Sequence, residues 1–301
     1  SLSWKIHKEK RKMLESLINP RKAERQPWEM FFVGSLYTVL SILLANWLFA
    51  GNPVLREHVS IVIVFFVVMF SIPFMYYTIK LEEKKDIRLR EERSILKEHG
   101  KALAAFMFLF FGFIVAFSAF FILLPDQADQ NFKVQVETYC QINSYSKEQF
   151  DRCVDNSFTG KVSSDSNAEF ISKEFKIIFL NNINVMLLSL FFSFFFGAGA
   201  IFILTWNASV IGAAMGIFSR ELHGIPLSFL RFMIHGIPEI LAYFVAALAG
   251  GIIGTAVIRH HFEEGMFRKV LKDALVLILI AVGLLFIGTL IEIFITPALF
   301  A

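Results

Sequence analysis

The chain has 301 residues, of which 56% are hydrophobic and 18% charged, with 36 phenylalanines and a formal net charge of +3. The charged share falls below the roughly 25% usual in soluble domains. Runs of about 20 apolar residues match the hydrocarbon thickness of a bilayer, and nothing large and polar is present to wrap that many buried helices. A soluble globular protein is thereby excluded, and the expected class is all-α: a polytopic transmembrane helical bundle in the cell membrane, with the lipid bilayer as its first partner and no nucleic-acid partner.

The N-terminal segment, residues 1–28, has no small-residue cleavage site ahead of its first apolar run and reads as no secretory signal. Leu2, Ile6, Met13, Leu14, Leu17 and Ile18 share one helix face and basic residues cover the rest. The segment reads either as an amphipathic helix on the cytoplasmic membrane surface or as a solvated basic helix that only sets topology. Residues 29–124 hold three spans, at about 29–50, 59–79 and 102–124. The link at 80–101 is dense in both charge signs and is expected to be a solvent-exposed hairpin or helix extension. The N-terminal segment and this link carry eight basic residues each, whereas the 51–58 turn has only Arg56. That asymmetry puts the N-terminus in the cytoplasm and the 51–58 turn and the 125–175 loop outside. Cys140 and Cys153, the only cysteines, share that loop, and a disulfide there suits an oxidising compartment.

The remainder, 176–301, forms a membrane core. A fourth apolar run starts near Phe175 and reaches Trp206, and 207–219 is too short to cross unaided. The count is therefore about six spans plus a short half-helix, with one external loop domain. Two arrangements are open. If 207–219 re-enters, the 226–258 helix runs from inside to outside. If 200–219 crosses fully, it runs the other way and the basic 259–273 link lies inside. The last run, 274–296, contains a single acid, Glu292.

Within 226–258, Arg231, His235 and Glu239 are spaced four apart and stack on one helix face. Ala242, Ala246, Gly250 and Gly254 continue that face as a row of small residues that admits a second helix backbone. Pro238 removes a backbone donor between the histidine and the glutamate. Ionisable groups in a span pair with each other or line a cavity. The trio reads as a self-satisfied network, as a solute, ion or proton site, or, least well supported, as part of a metal site. Asn181, Asn182 and Asn207 are the other polar groups at comparable depth, and Gly212 and Gly216 form a second close-packing row. A "RHHFEEG" cluster at 259–265 reads as solvated. No metal or other cofactor is expected.

The asparagine pair, the glycine-rich span, "WNASVIGAAMG" and then "HGIPE" with its Gly/Ala row resemble the stage II sporulation protein M family, also called DUF95, over roughly 175–296. By that resemblance Asn181, Asn182, Asn207, Gly212, His235, Gly236 and Glu239 correspond to the family pattern. The resemblance implies an integral membrane protein that, in endospore formers, anchors a peptidoglycan-degrading machine and so needs soluble hydrolase partners. No catalytic set is evident, so the chain is expected not to be an enzyme. The first functional expectation is a membrane scaffold that recruits unidentified partners and self-associates, as a dimer. The alternative is a transporter or channel with its site at His235 and Glu239, although no clear inverted repeat is visible in the sequence.

Overall fold

A computed structural model describes residues 20–49, 51–88, 95–143, 147–159, 171–196, 199–219, 224–258 and 264–300. Most of the N-terminal amphipathic segment, Gly197 and the 259–263 part of the "RHHFEEG" link lie outside the described residues. Those described are helical, with no strand among them. In chain order the helices are α1 Pro20–Arg25, α2 Glu29–Phe49, α3 Pro53–Glu57, α4 Val59–Arg88, α5 Ile95–Leu123, α6 Pro125–Asn131, α7 Lys133–Asn143, α8 Lys147–Thr159, α9 Ile171–Phe196, α10 Ala200–Ser219, α11 Ile225–Ile258 and α12 Glu264–Leu290; a π-helical turn, Ile291–Ile295, then leads into α13, Thr296–Phe300. Seven of these (α2, α4, α5, α9, α10, α11 and α12 with its continuation) hold stretches long and apolar enough to cross a membrane.

Helices are the required solution here. In hydrocarbon every backbone N–H and C=O must find its partner within the segment, and several buried hydroxyls follow the same rule by donating to the carbonyl one turn back, as in Ser41 to Tyr37, Ser71 to Val67 and Thr78 to Phe74. Prolines mark the breaks. Pro53 and Pro125 each start a short helix, the first capped by Asn52, whose side chain accepts from the amides of Val54 and Leu55. Pro297 has no N–H to offer Ile293, and the helix widens into the π turn just upstream, where the Thr296 amide reaches back to Ile291.

The short apolar piece 207–219 is the second half of α10, a 20-residue helix that starts at Ala200. Among the described residues the long apolar helices number seven, and of the two arrangements left open by the sequence a continuous 200–219 helix is the one present. Two features hide this in the sequence. The run from Phe175 to Trp206 is largely apolar, with Lys176 its one formally charged residue, and the boundary between α9, which ends at Phe196, and α10, which starts at Ala200, carries no charged marker.

Contacts fix the helix directions. Arg56 on α3 donates to Gln130 on α6 at 2.6 Å, and Gln135 on α7 donates to the Ser60 carbonyl at 3.2 Å. The α2–α4 turn therefore lies on the same face as α6–α8, which form a cap. Phe132 anchors the cap, its ring against Phe117 and Phe121 near the end of α5. A disulfide joins Cys140 on α7 to Cys153 on α8, with Cα atoms 5.7 Å apart. Gly212 and Gly216 lie under Phe117 and Phe121 in turn, so α10 runs parallel to α5, toward the cap. From there α11 returns to the opposite face and α12 comes back.

Close approach is set by glycine. A Cβ on Gly250 would strike the Leu190 carbonyl of α9, and one on Gly254 the Phe194 carbonyl. On the other side of the bundle Gly34 and Gly112 bring α2 and α5 together in the same way, each against backbone of the other helix. Ala242 and Ala246 are fully buried in α11. Because backbone cannot swing aside as a side chain can, Gly250→Leu is expected to destabilise the protein by about 1–3 kcal/mol, read as a lowered thermal midpoint in detergent. An unchanged midpoint contradicts the contact. The cysteines give a separate prediction: in unreduced, unfolded protein neither reacts with maleimide, and reduction exposes both.

Candidate functional site

Helix α11 is the most enclosed span, and its polar face meets three different helices. At the cap end the Arg231 guanidinium lies over the Phe218 ring of α10, 4.8 Å from its centroid, a cation–π contact. Phe218 in turn meets Tyr139 of the cap edge-on at 6.4 Å. Burial raises the Tyr139 hydroxyl to about 12, with the Arg231 charge acting against that shift. Arg231 thus faces the seam between cap and bundle.

One turn further in, His235 meets the end of the last span: its Nδ1 is 3.2 Å from the Thr296 hydroxyl. That hydroxyl also lies 3.3 Å from the Ile291 carbonyl of the π turn. The Thr296 hydroxyl thus stands between the His235 ring and the π turn.

Glu239 is the centre of the third contact. The Asn182 side-chain amide of α9 donates to Glu239 Oε1 at 2.7 Å, and the Tyr243 hydroxyl donates to Asn182 Oδ1 at 2.9 Å. Asn182 and Tyr243 are both buried. Tyr243 follows Glu239 by four residues and shares its face, so the tyrosine fixes which way the asparagine points and the asparagine orients the carboxylate. Gly288 of α12 makes room for this: a Cβ there would lie 2.7 Å from Glu239 Cγ. Glu292, in the π turn, follows Gly288 by four residues and so stands one turn along the same helix from the Glu239 contact. From the start of the apolar stretch of α9 at Phe175, Asn182 is about 10 Å deep along the helix.

The residues singled out in the sequence are only partly brought together. Asn182 joins Glu239. Asn181 is exposed, because adjacent helix positions point about 100° apart and only one of the pair can face α11. Asn207 donates to the Ile203 carbonyl of its own helix at 2.8 Å, which satisfies it locally. Arg231, His235 and Glu239 stack as their spacing requires, but each has its own partners and they form no common network. Gly236 is buried against Met233 and Ile240. Sequence reasoning missed Tyr243, Gly288, Thr296 and the role of Glu292. Signals existed for two of them: a lone acid in an apolar run, and a tyrosine one turn from a glutamate. Among the described residues no group of three or more His, Cys, Asp or Glu side chains could hold a metal ion.

Removing the Tyr243 hydroxyl leaves the Asn182 carbonyl oxygen buried without its donor. Tyr243→Phe is therefore expected to cost about 1–3 kcal/mol. Glu239→Gln keeps an oxygen for the Asn182 amide and is expected to leave thermal stability close to wild type. Equal losses from both substitutions would contradict this division of roles.

The profile of the family described as stage II sporulation protein M matches residues 62–297. That range takes in most of α4, α5, the cap and the helices α9 to α12. An uncharacterized protein of Methanocaldococcus jannaschii is 34% identical over 130 residues, covering 42% of this chain and 73% of its own length. No solved structure matches the chain. Seven long apolar helices and a family match across most of the chain agree: this is a multi-pass membrane protein that belongs to the stage II sporulation protein M family.

Proposed function

We propose that the protein moves a monovalent cation, H⁺ or Na⁺, through the membrane by way of the Glu239 site. The carrying observation is the placement of two carboxylates on neighbouring helices apolar enough to span a bilayer: Glu239 lies against Gly288, and Glu292 follows Gly288 by one turn. A charged group in that setting is costly and needs a counter-charge. Arg231 is engaged at the cap seam and His235 with Thr296, so the nearest basic side chains of α11 are directed elsewhere. A proton or a small cation supplies the charge balance, and one that comes and goes makes the site a carrier. The Tyr243–Asn182 pair holds one carboxylate oxygen in place. The π turn under Glu292 supports the same reading, since such single turns gather at functional sites.

The scaffold reading, with self-association and partner recruitment, loses one of its supports. The Gly250 and Gly254 positions are filled by α9 of the same chain, so that part of the row offers no free surface to a second copy. The family membership alone carries the scaffold reading.

The test is cation flux in proteoliposomes containing the purified chain, with a pH-sensitive dye in one arm and a sodium-sensitive dye in the other. The wild type is expected to carry one of the two ions down an imposed gradient, and Glu239→Gln to abolish that flux while keeping its thermal midpoint. Absence of flux of either ion in the wild type, or full flux in the variant, would overturn the proposal.

A further inference from the structure

A second ionisable contact lies at the other end of the bundle. Glu82 near the end of the apolar part of α4 and His99 near the start of α5 are 0% and 1% exposed, and His99 Nδ1 is 2.6 Å from Glu82 Oε2. They sit on the face opposite the cap, within the charged stretch whose sequence suggests solvent exposure. A fully buried pair needs excellent geometry to offset its desolvation, and nothing in the site around Glu239 uses it.

Its place in the fold carries the inference. The helices α2, α4 and α5 form one three-helix unit, and α9, α10 and α11 form another. The first unit starts on the face opposite the cap and the second starts on the cap face, so the two have inverted topology. In each unit the first and third helices run parallel and cross at glycine: Gly34 and Gly112 in one, Gly250 and Gly254 in the other. Each third helix packs on the middle helix of the other unit. Phe117 and Phe121 of α5 lie over Gly212 and Gly216 of α10, and Gly251 of α11 lies against Ile79 of α4. The two third helices meet at the centre, where Phe106 and Phe244 stack at 5.3 Å. Counting back roughly three to four turns from the crossing glycines reaches His99 on α5 and Glu239 on α11.

We propose that the bundle is an inverted pair of three-helix units, and that the Glu82–His99 contact, between the middle and third helices of its unit, is the gate on the face opposite the cap, as the Asn182–Glu239 contact, between the first and third helices of the other unit, is the gate nearer the cap. Inverted units of this kind exchange access between the two faces by rocking against each other, so opening one gate closes the other. The inference rests on the transport reading of Glu239 but makes its own claim: the two contacts are coupled across the bundle.

The coupling can be read without any flux. The two native cysteines are joined to each other, so an introduced thiol is the sole target for a water-soluble, membrane-impermeant maleimide in reconstituted vesicles. A102C, in the buried position just beyond His99, reports the face opposite the cap, and S219C, at the buried end of α10, reports the cap face. Glu82→Ala is expected to raise labelling of A102C roughly tenfold, the effect of losing about 1.4 kcal/mol of closure, and to lower labelling of S219C. Asn182→Ala is expected to do the reverse. Glu82→Gln, which can still hydrogen-bond His99, is expected to stay near wild type and shows that the effect is not loss of fold. An increase at A102C with S219C unchanged, or increases at both, overturns the proposal and leaves the pair a local brace. Reciprocal labelling in a chain that carries no cation would uphold the coupled gates while rejecting the transport reading.

Discussion

The distance between the backbones of α9 and α11 governs the polar centre of this molecule. Asn182 is a short side chain. Its amide reaches Glu239 at 2.7 Å because, two to three turns further along α9 and three to four along α11, Gly250 and Gly254 let the α9 backbone lie directly against α11. Association between helices in lipid gains little from apolar burial, since the alternative surroundings are equally apolar. Close backbone contact and satisfied polar groups have to provide it, and here the glycine crossing provides the first and positions the second.

The same logic orders the other contacts along α11. Its polar face is divided among the cap through Arg231, Phe218 and Tyr139, the last span through His235 and Thr296, and α9 through Glu239 and Asn182. The division explains how ionisable residues at regular four-residue spacing are tolerated without pairing with one another. Each meets a different neighbour, and α11 serves as the axis around which cap, α9 and the last span are arranged. The cap is held to the same axis, since its disulfide joins α7 to α8 while Tyr139 of α7 contacts the α10 ring on which Arg231 rests.

The fold class and the four-residue polar ladder could be read from the sequence because both are periodic. Apolar length sets a span, and helical spacing puts Arg231, His235 and Glu239 on one face. What could not be read depends on which helices are neighbours. Asn181 and Asn182 look alike in the sequence, and only the position of α11 chooses between them. Glu292 and Thr296 belong with Glu239 and His235 because α12 runs antiparallel to α11, which no local pattern encodes. Glu82 and His99 lie in a stretch rich in both charge signs, where two buried residues are hidden among solvated ones. The inverted relation is carried by glycine crossings of different local sequence, so it appears in the packing and not in the residue string.

The central claim is that Glu239 exchanges a cation with water although it lies within a helix apolar enough to span a membrane. Its most direct test is carbodiimide modification of the reconstituted protein, with the site of labelling located by mass spectrometry. The account predicts modification at Glu239 whose rate follows the cation content of the surrounding water, rising as protons are supplied or falling as sodium is added. Modification of Glu239 at one constant rate across all pH values and sodium concentrations would contradict it, because the carboxylate would then be a sealed structural group.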